Sequence, residues 1–314
     1  DSVLNKNILN AYDNPIVYGN ISFGFNAVDH MDSSENQLGI YLAELYVESV
    51  LTFSTKFDRF NFNNTRDVNA HIDYLTKKRE EVIIERCHKL PGDRLNFYNN
   101  STQNGYKFFG EDLGHDIRIV VKDFNGNKSE FTFQLISHVS LRENQHVPKP
   151  DNSSLITIEK GIGVHTANLD VVIPEGAVYE NYYYDDLSEK NSDYLSDVFR
   201  IGDSFEALRL PITIGIKPTK DIEEKLKPKA VIVQLIGSDE LLTLKSFGGQ
   251  WDGKFLSTKS HEFGSYAIVL DIIPPKIEKY YVPADMNSMW GGVVKIIIKD
   301  DLSGIKSYSG KIDG

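Results

Sequence analysis

The chain has 314 residues, 40% of them hydrophobic, and carries a net charge of -11 with a pI near 5.2. That acidity excludes the concentrated Lys and Arg that binding to nucleic acid or an anionic membrane surface requires, and no apolar run reaches the ~20 residues of a membrane span. The length suits two or three domains, each with a core of its own. The first residues, Asp1-Ser-Val-Leu-Asn-Lys-Asn7, are neither a signal peptide nor an initiator methionine, so the chain is expected to be a mature or trimmed piece. Cys87 stands alone, which rules out an intrachain disulfide. Its apolar neighbours Val82, Ile83 and Ile84 mark it as a small core residue rather than a nucleophile. Asn-x-Ser/Thr triplets at Asn20, Asn63, Asn100, Asn127 and Asn152 are what an Asn-rich chain produces by chance, and no glycosylation is read from them.

Strand signals dominate residues 1–143, the expected first β-sandwich. Gly19 to Asp29 alternates apolar and polar residues, a polar loop runs from Asp29 to Gln37, and Gly39 to Val47 and Val50 to Phe62 supply further strands. Within the last of these, Phe57-Asp-Arg-Phe-Asn-Phe62 alternates aromatics with polar residues and predicts one buried face. At Asn64-Thr65 the alternation stops, and Val68, Ile72 and Leu75 recur at helical spacing, with Thr65 placed to cap. This strand-to-helix corner carries Arg66, His71 and Asp73. One reading is a catalytic corner. The other, which is expected, is a structural corner in which Arg66 and Asp73 pair and the polar groups satisfy one another. Val82 to Arg86 reads as another strand, closed by Pro91-Gly92. Ile117 to Asp123, the turn Phe124 to Asn127, and Ser129 to Leu135 read as a hairpin, and its end resembles the last hairpin of immunoglobulin-like modules.

Asn144 to Ser154 has the Pro and polar content of a linker. A second domain is expected over 155–270. It opens with a strand that ends in Ile173-Pro-Glu-Gly-Ala177, where Pro174 stops the ladder and Gly176 permits a reversal. That turn resembles one found in ZU5-like β-sandwiches. Leu210 to Lys217, Ala230 to Gly237 and Ser265 to Leu270 read as strands, Gly248 to Gly253 as a turn, and Asp221 to Leu226 as a single helical turn. From Asp271 a third, incomplete immunoglobulin-like unit (271–314) is expected, because Gly292 to Asp300 parallels Gly19 to Asp29 and Gly304 to Gly314 parallels Gly39 to Ser49. Fold class is therefore all-β: tandem β-sandwich domains with little helix.

Several motifs together, namely Gly39-Ile-Tyr41, Phe57 to Phe62, Thr65-Arg66, Asn69-Ala-His-Ile-Asp-Tyr74, Pro91-Gly92, Ile201-Gly-Asp203 and Asp300-Asp-Leu-Ser-Gly-Ile-Lys-Ser-Tyr308, resemble the region downstream of the catalytic domain in lysostaphin-type (LytM-like) zinc endopeptidases of Gram-negative bacteria. The resemblance implies a periplasmic or cell-envelope accessory region, with the peptidase domain upstream and zinc confined to that domain. Implied partners are the peptidase domain, envelope proteins and peptidoglycan. The family's zinc ligands, His-x-x-x-Asp and His-x-His, fit none of the eight histidines, and His261-Glu262 lacks the second His of an H-E-x-x-H helix. No catalytic residue or cofactor is therefore assigned to this chain.

Other chemistry is thinner. His71 and Asp73 make half a metal site at most, with hydrogen bonding as the simpler role. Asp29, Asp32 and Glu35 in one loop, and Asp300 and Asp301 in another, are candidate Ca²⁺ oxygens or solvated acidic loops. No G-x-S-x-G elbow occurs, and Gly161-Ile-Gly163 lacks the rest of a phosphate loop. Paired carboxylates for glycoside hydrolysis are set by the fold and are not legible in sequence. Tyr182 to Tyr184 and Tyr280-Tyr281 are either sugar platforms or ordinary strand packing. The rival to an accessory region is a stand-alone carbohydrate-binding or adhesin-type module array.

Overall fold

The computed structural model of the chain describes residues 14–30, 37–144, 154–237, 241–281 and 295–311. Asp32, Glu35 and most of the expected linker lie outside these residues. The protein is all-β, 47% strand and 11% helix, and divides into two compact units.

The first unit comprises residues 1–161 with 175–183 and 205–210. Leu42–Val47 buries every second residue (Ala43, Leu45, Val47), as a half-covered strand must. It turns directly into Val50–Lys56 through Glu48 and Ser49, both in the left-handed region with φ 51° and 64°. That two-residue turn has the twist a tight hairpin needs, here supplied without glycine. The six-stranded sheet runs, in spatial order, Ile16–Val17, Lys128–Ser137, Gly114–Lys122, Leu42–Val47, Val50–Lys56 and Tyr98–Ser101, with the first pairing parallel. Leu45, Phe53, Cys87, Phe109, Ile117 and Leu135 form the core beneath it. Short two-stranded pieces (Gly19–Ile21 with Lys107–Phe109, Gly24–Phe25 with Glu85–Arg86, Asp29–His30 with Gln37–Leu38) complete the unit. The expected hairpin is present, extended to Gly114–Lys122 and Lys128–Ser137. The strand expected over Val82 to Arg86 is only Glu85–Arg86.

The second unit comprises 162–174, 184–204 and 211–314. Its core is mainly apolar: Val171, Ile212, Ile214, Ile232, Val233, Leu256, Ala267 and Ile268 are fully buried, with Ser196, Gln234 and Ser260 buried beside them in hydrogen bonds. Ala230–Ile236 lies between Gly264–Leu270 and Thr243–Ser246, and its first five residues are all buried, the near-continuous apolar run of a central strand. Gln250–Asp252, expected to be part of a turn, is a strand paired with Phe255–Glu262; the turn itself is Gly253-Lys254. Lys276–Tyr281 pairs with Lys295–Lys299, placing Ile277, Ile296 and Ile298 on one face and the Glu278–Lys299 ion pair on the other. Residues 304–311 have no regular element, so the expected counterpart of Gly39 to Ser49 is absent from the described residues.

Candidate functional site

The corner after Val50–Lys56 is built differently from its sequence reading. The ladder ends at Lys56, Phe57 N donates to the Tyr41 carbonyl, and the chain leaves the sheet. Phe60 and Phe62 are 43% and 87% exposed, so the predicted strand with a buried aromatic face is corrected to a loop. The reason is Asn61, whose side chain accepts from Asn63 N at 3.0 Å and caps a 3-10 turn over Phe62–Asp67. Thr65 is not the cap; its hydroxyl donates back to the Phe62 carbonyl at 2.6 Å. The helix comes in two pieces, α1 (Val68–His71) and α2 (Tyr74–Glu80), broken where Ile72 turns extended and bridges Glu85. Asp73 caps α2, accepting from Thr76 N at 3.2 Å and Thr76 Oγ1 at 2.6 Å.

This break points His71 inward. It is 3% exposed and ringed by Phe57, Phe97 and Tyr98. Nε2 lies 3.4 Å from Glu85 Oε2 and Nδ1 3.3 Å from the Tyr98 hydroxyl, which donates to Asp93. Asp93 also accepts from Leu95 N at 2.7 Å. Burial pushes the Asp93 carboxyl and the Tyr98 hydroxyl above their ordinary ranges. The one Tyr98 hydroxyl proton goes to Asp93, so the Tyr98 oxygen faces His71 Nδ1 as an acceptor, and both ring nitrogens of His71 meet protein partners.

A second buried carboxylate, Asp67, accepts from the Tyr179 hydroxyl at 3.1 Å, and the same hydroxyl meets the Arg66 carbonyl at 2.9 Å. Gly92 N donates to the Tyr179 carbonyl at 2.7 Å, and a Cβ on Gly92 would stand 2.8 Å from Tyr179 Cα. Only glycine admits that approach. Behind the network lies His88, whose ring contacts Tyr106 and whose Nδ1 has no hydrogen-bond partner among the described residues. Burial, then the charge of Arg86, holds its pKa down to about 3. Burial likewise pushes the Cys87 thiol up, which makes it a poor nucleophile.

One constellation that sequence reasoning missed has the spacing of a hydrolytic triad. His115 Nε2 lies 3.0 Å from Ser137 Oγ, and Nδ1 lies 3.1 Å from Glu48 Oε1. Ser137, however, is fully buried and its hydroxyl donates to the Glu111 carbonyl. A sealed hydroxyl aimed at a backbone carbonyl neither reaches a substrate nor passes its proton to the imidazole.

Of the residues singled out from sequence, Arg66, His71 and Asp73 share this corner, but His71 finds Glu85 and Tyr98 while Asp73 caps a helix. Asp29 accepts from His30 N. Asp300 accepts from Leu302 N and Gly304 N, and Asp301 faces Lys276 at 3.9 Å. Among the described residues no three His, Cys, Asp or Glu gather as a metal site. Tyr184 is buried and Tyr182 and Tyr183 are half-buried in their strand. Asp93, Tyr98 and Tyr179 were not singled out; the turns Pro91-Gly92 and Ile173-Pro-Glu-Gly-Ala177 were the available signals for two of them.

Residues 153–271 match the Zu5-like domain family, which agrees with the ZU5-like turn at Ile173 to Ala177. No curated protein matches the chain.

Proposed function

We propose that this chain is a non-catalytic accessory region of a cell-envelope peptidoglycan endopeptidase, located in the periplasm or cell envelope. It spaces, orients or regulates a zinc peptidase domain that lies outside these residues. In this reading residues 1–143, 155–270 and 271 onward are successive modules, and the motif resemblance supplies the family. One observation carries the non-catalytic part: at the corner where chemistry-bearing side chains converge, they are engaged with one another. Both nitrogens of His71 face protein partners, Asp67 is taken by Tyr179, and Asp93 by Tyr98 and Leu95. Buried groups engaged in this way build a structure and leave no acid, base or open ligand position for a substrate.

The test uses the purified chain alone and joined to the protein's upstream residues. The chain alone is expected to leave peptidoglycan cross-links intact, and the joined protein to cleave them in a zinc-dependent way. Cleavage by the chain alone contradicts the proposal. Saturable binding of the chain alone to a defined glycan would move the reading to a carbohydrate-binding module.

A further inference from the structure

The second unit holds an open cleft of about 340 Å³ where the Zu5-like stretch ends. That volume lies at the lower end of the range of small-ligand sites. Its walls come from two segments, Lys229 with Asp271 to Pro275, and Asp300 with Ser303 to Ser307. Hydrogen bonds tie the segments together. Asp271 N donates to the Lys229 carbonyl at 2.8 Å, and Asp271 Oδ2 accepts from Ser303 N at 3.1 Å and from the Ser303 hydroxyl. Asp300 Oδ1 accepts from Leu302 N at 3.0 Å and Gly304 N at 2.8 Å, which shapes the loop leading to Ile305 and Lys306. Pro274 and Pro275 add two locked φ angles to the wall.

The charges of this cleft are unevenly satisfied. The lysines that flank it in sequence are paired: Lys227 with Glu224, Lys276 with Asp301 at 3.9 Å and Lys299 with Glu278 at 2.8 Å. Lys229 and Lys306 line the cleft and form no ion pair among the described residues, although Asp271 and Asp300 line it too. Each of those carboxylates spends one oxygen on the donors of the loop. Ile272, Ile273 and Ile305 are exposed and, with the two prolines, give the same cleft an apolar lining. Unpaired cations, free carboxylate oxygens and apolar side chains converge on one concave surface. Such a surface suits a ligand with one compact negative charge, N–H donors and an apolar body.

We propose that this cleft binds the C-terminal end of a short apolar peptide. The terminal carboxylate meets Lys229 and Lys306, and the apolar side chains lie against Ile272, Pro274 and Ile305. A carboxylate on an ammonium makes a charge-assisted hydrogen bond, stronger than a neutral one. The remaining oxygens of Asp271 and Asp300 accept from the peptide N–H groups, which a fatty acid of the same charge lacks. Those two carboxylates and a net charge of -11 repel a polyanion such as a phosphate polymer. The inference does not depend on whether a peptidase domain accompanies the chain.

The experiment is fluorescence anisotropy on the full chain with an N-terminally labelled tetrapeptide of glycine, alanine and two leucines. It is used with a free C-terminal carboxylate and as its C-terminal amide, with hexanoate and inorganic phosphate as competitors. The free acid is expected to bind saturably, to weaken with salt, and to bind about tenfold tighter than the amide. The Lys229→Gln/Lys306→Gln variant should lose the preference for the acid, and Lys229→Arg/Lys306→Arg should keep it. Ile305→Ser should weaken both peptides several-fold and leave the preference intact. Lys229, Lys306 and Ile305 are exposed, so an unchanged melting temperature of the variants separates binding loss from unfolding. Absence of binding, equal binding of acid and amide, an undiminished preference in the glutamine variant, or displacement by hexanoate or phosphate at lower concentration than by unlabelled peptide would each overturn the proposal.

Discussion

The corner of the first unit and the core of the second solve the problem of burial in opposite ways. Around Ile232, burial is mainly apolar and non-directional: the side chains of Ile212, Ile214, Val233 and Ile268 are fully buried and carry no polar atom to satisfy. Around His71, the buried groups include two carboxylates, an imidazole and two phenols, each dependent on a partner in the right place. The first kind of core tolerates a pH change and is damaged by cavities. The second tolerates little loss of a hydrogen-bonding atom and responds to protons.

The largest effect expected from this contrast is Ile232→Ala in the second unit, which should cost roughly 3–4 kcal/mol through lost transfer and a residual cavity. Urea denaturation should show the loss at neutral and mildly acidic pH alike. Next in size is the acid sensitivity of the first unit. His88 is held neutral, with a folded pKa of about 3 against about 6.5 when unfolded. Between those values the unfolded state binds the extra proton, so this contribution is complete above pH ~6.5 and falls as pH drops. The slope is at most about 1.4 kcal/mol per pH unit, or ~2 kcal/mol between pH 6.5 and 5. Comparing unfolding of the native chain with His88→Asn over that window isolates the term; equal slopes would refute it.

Both regions were partly legible in the letters, for different reasons. The alternation in Ile117 to Leu135 reports a local geometry that the strands Gly114–Lys122 and Lys128–Ser137 adopt. The same two-residue period in Phe57 to Phe62 misled, because a single Asn61 side chain captures the backbone and turns the aromatics outward. Helical spacing around Val68 was real but did not reveal the break at Ile72 that aims His71 inward. The partners of the corner are distant: Tyr98 is 27 residues from His71 and Tyr179 is 112 from Asp67, and no local pattern encodes such a pairing.

Smaller effects sharpen the contrast. Tyr179→Phe leaves the buried Asp67 carboxylate short of a donor and should cost about 1–3 kcal/mol, read as a lower melting temperature of the first unit. Tyr98→Phe should cost a similar amount by stranding Asp93 and His71 Nδ1. If either variant is neutral, the polar corner is not held as described. At the surface, Phe62→Ala should change stability by no more than ~0.5 kcal/mol, since the ring is 87% exposed.

Glu85 and Tyr98 occupy both nitrogens of His71, and ¹⁵N NMR of its ring reads this directly. Added zinc should leave both His71 nitrogen shifts where they stand, with no metal retained after desalting. A zinc-induced shift at either nitrogen, with one metal ion retained per chain, would contradict it.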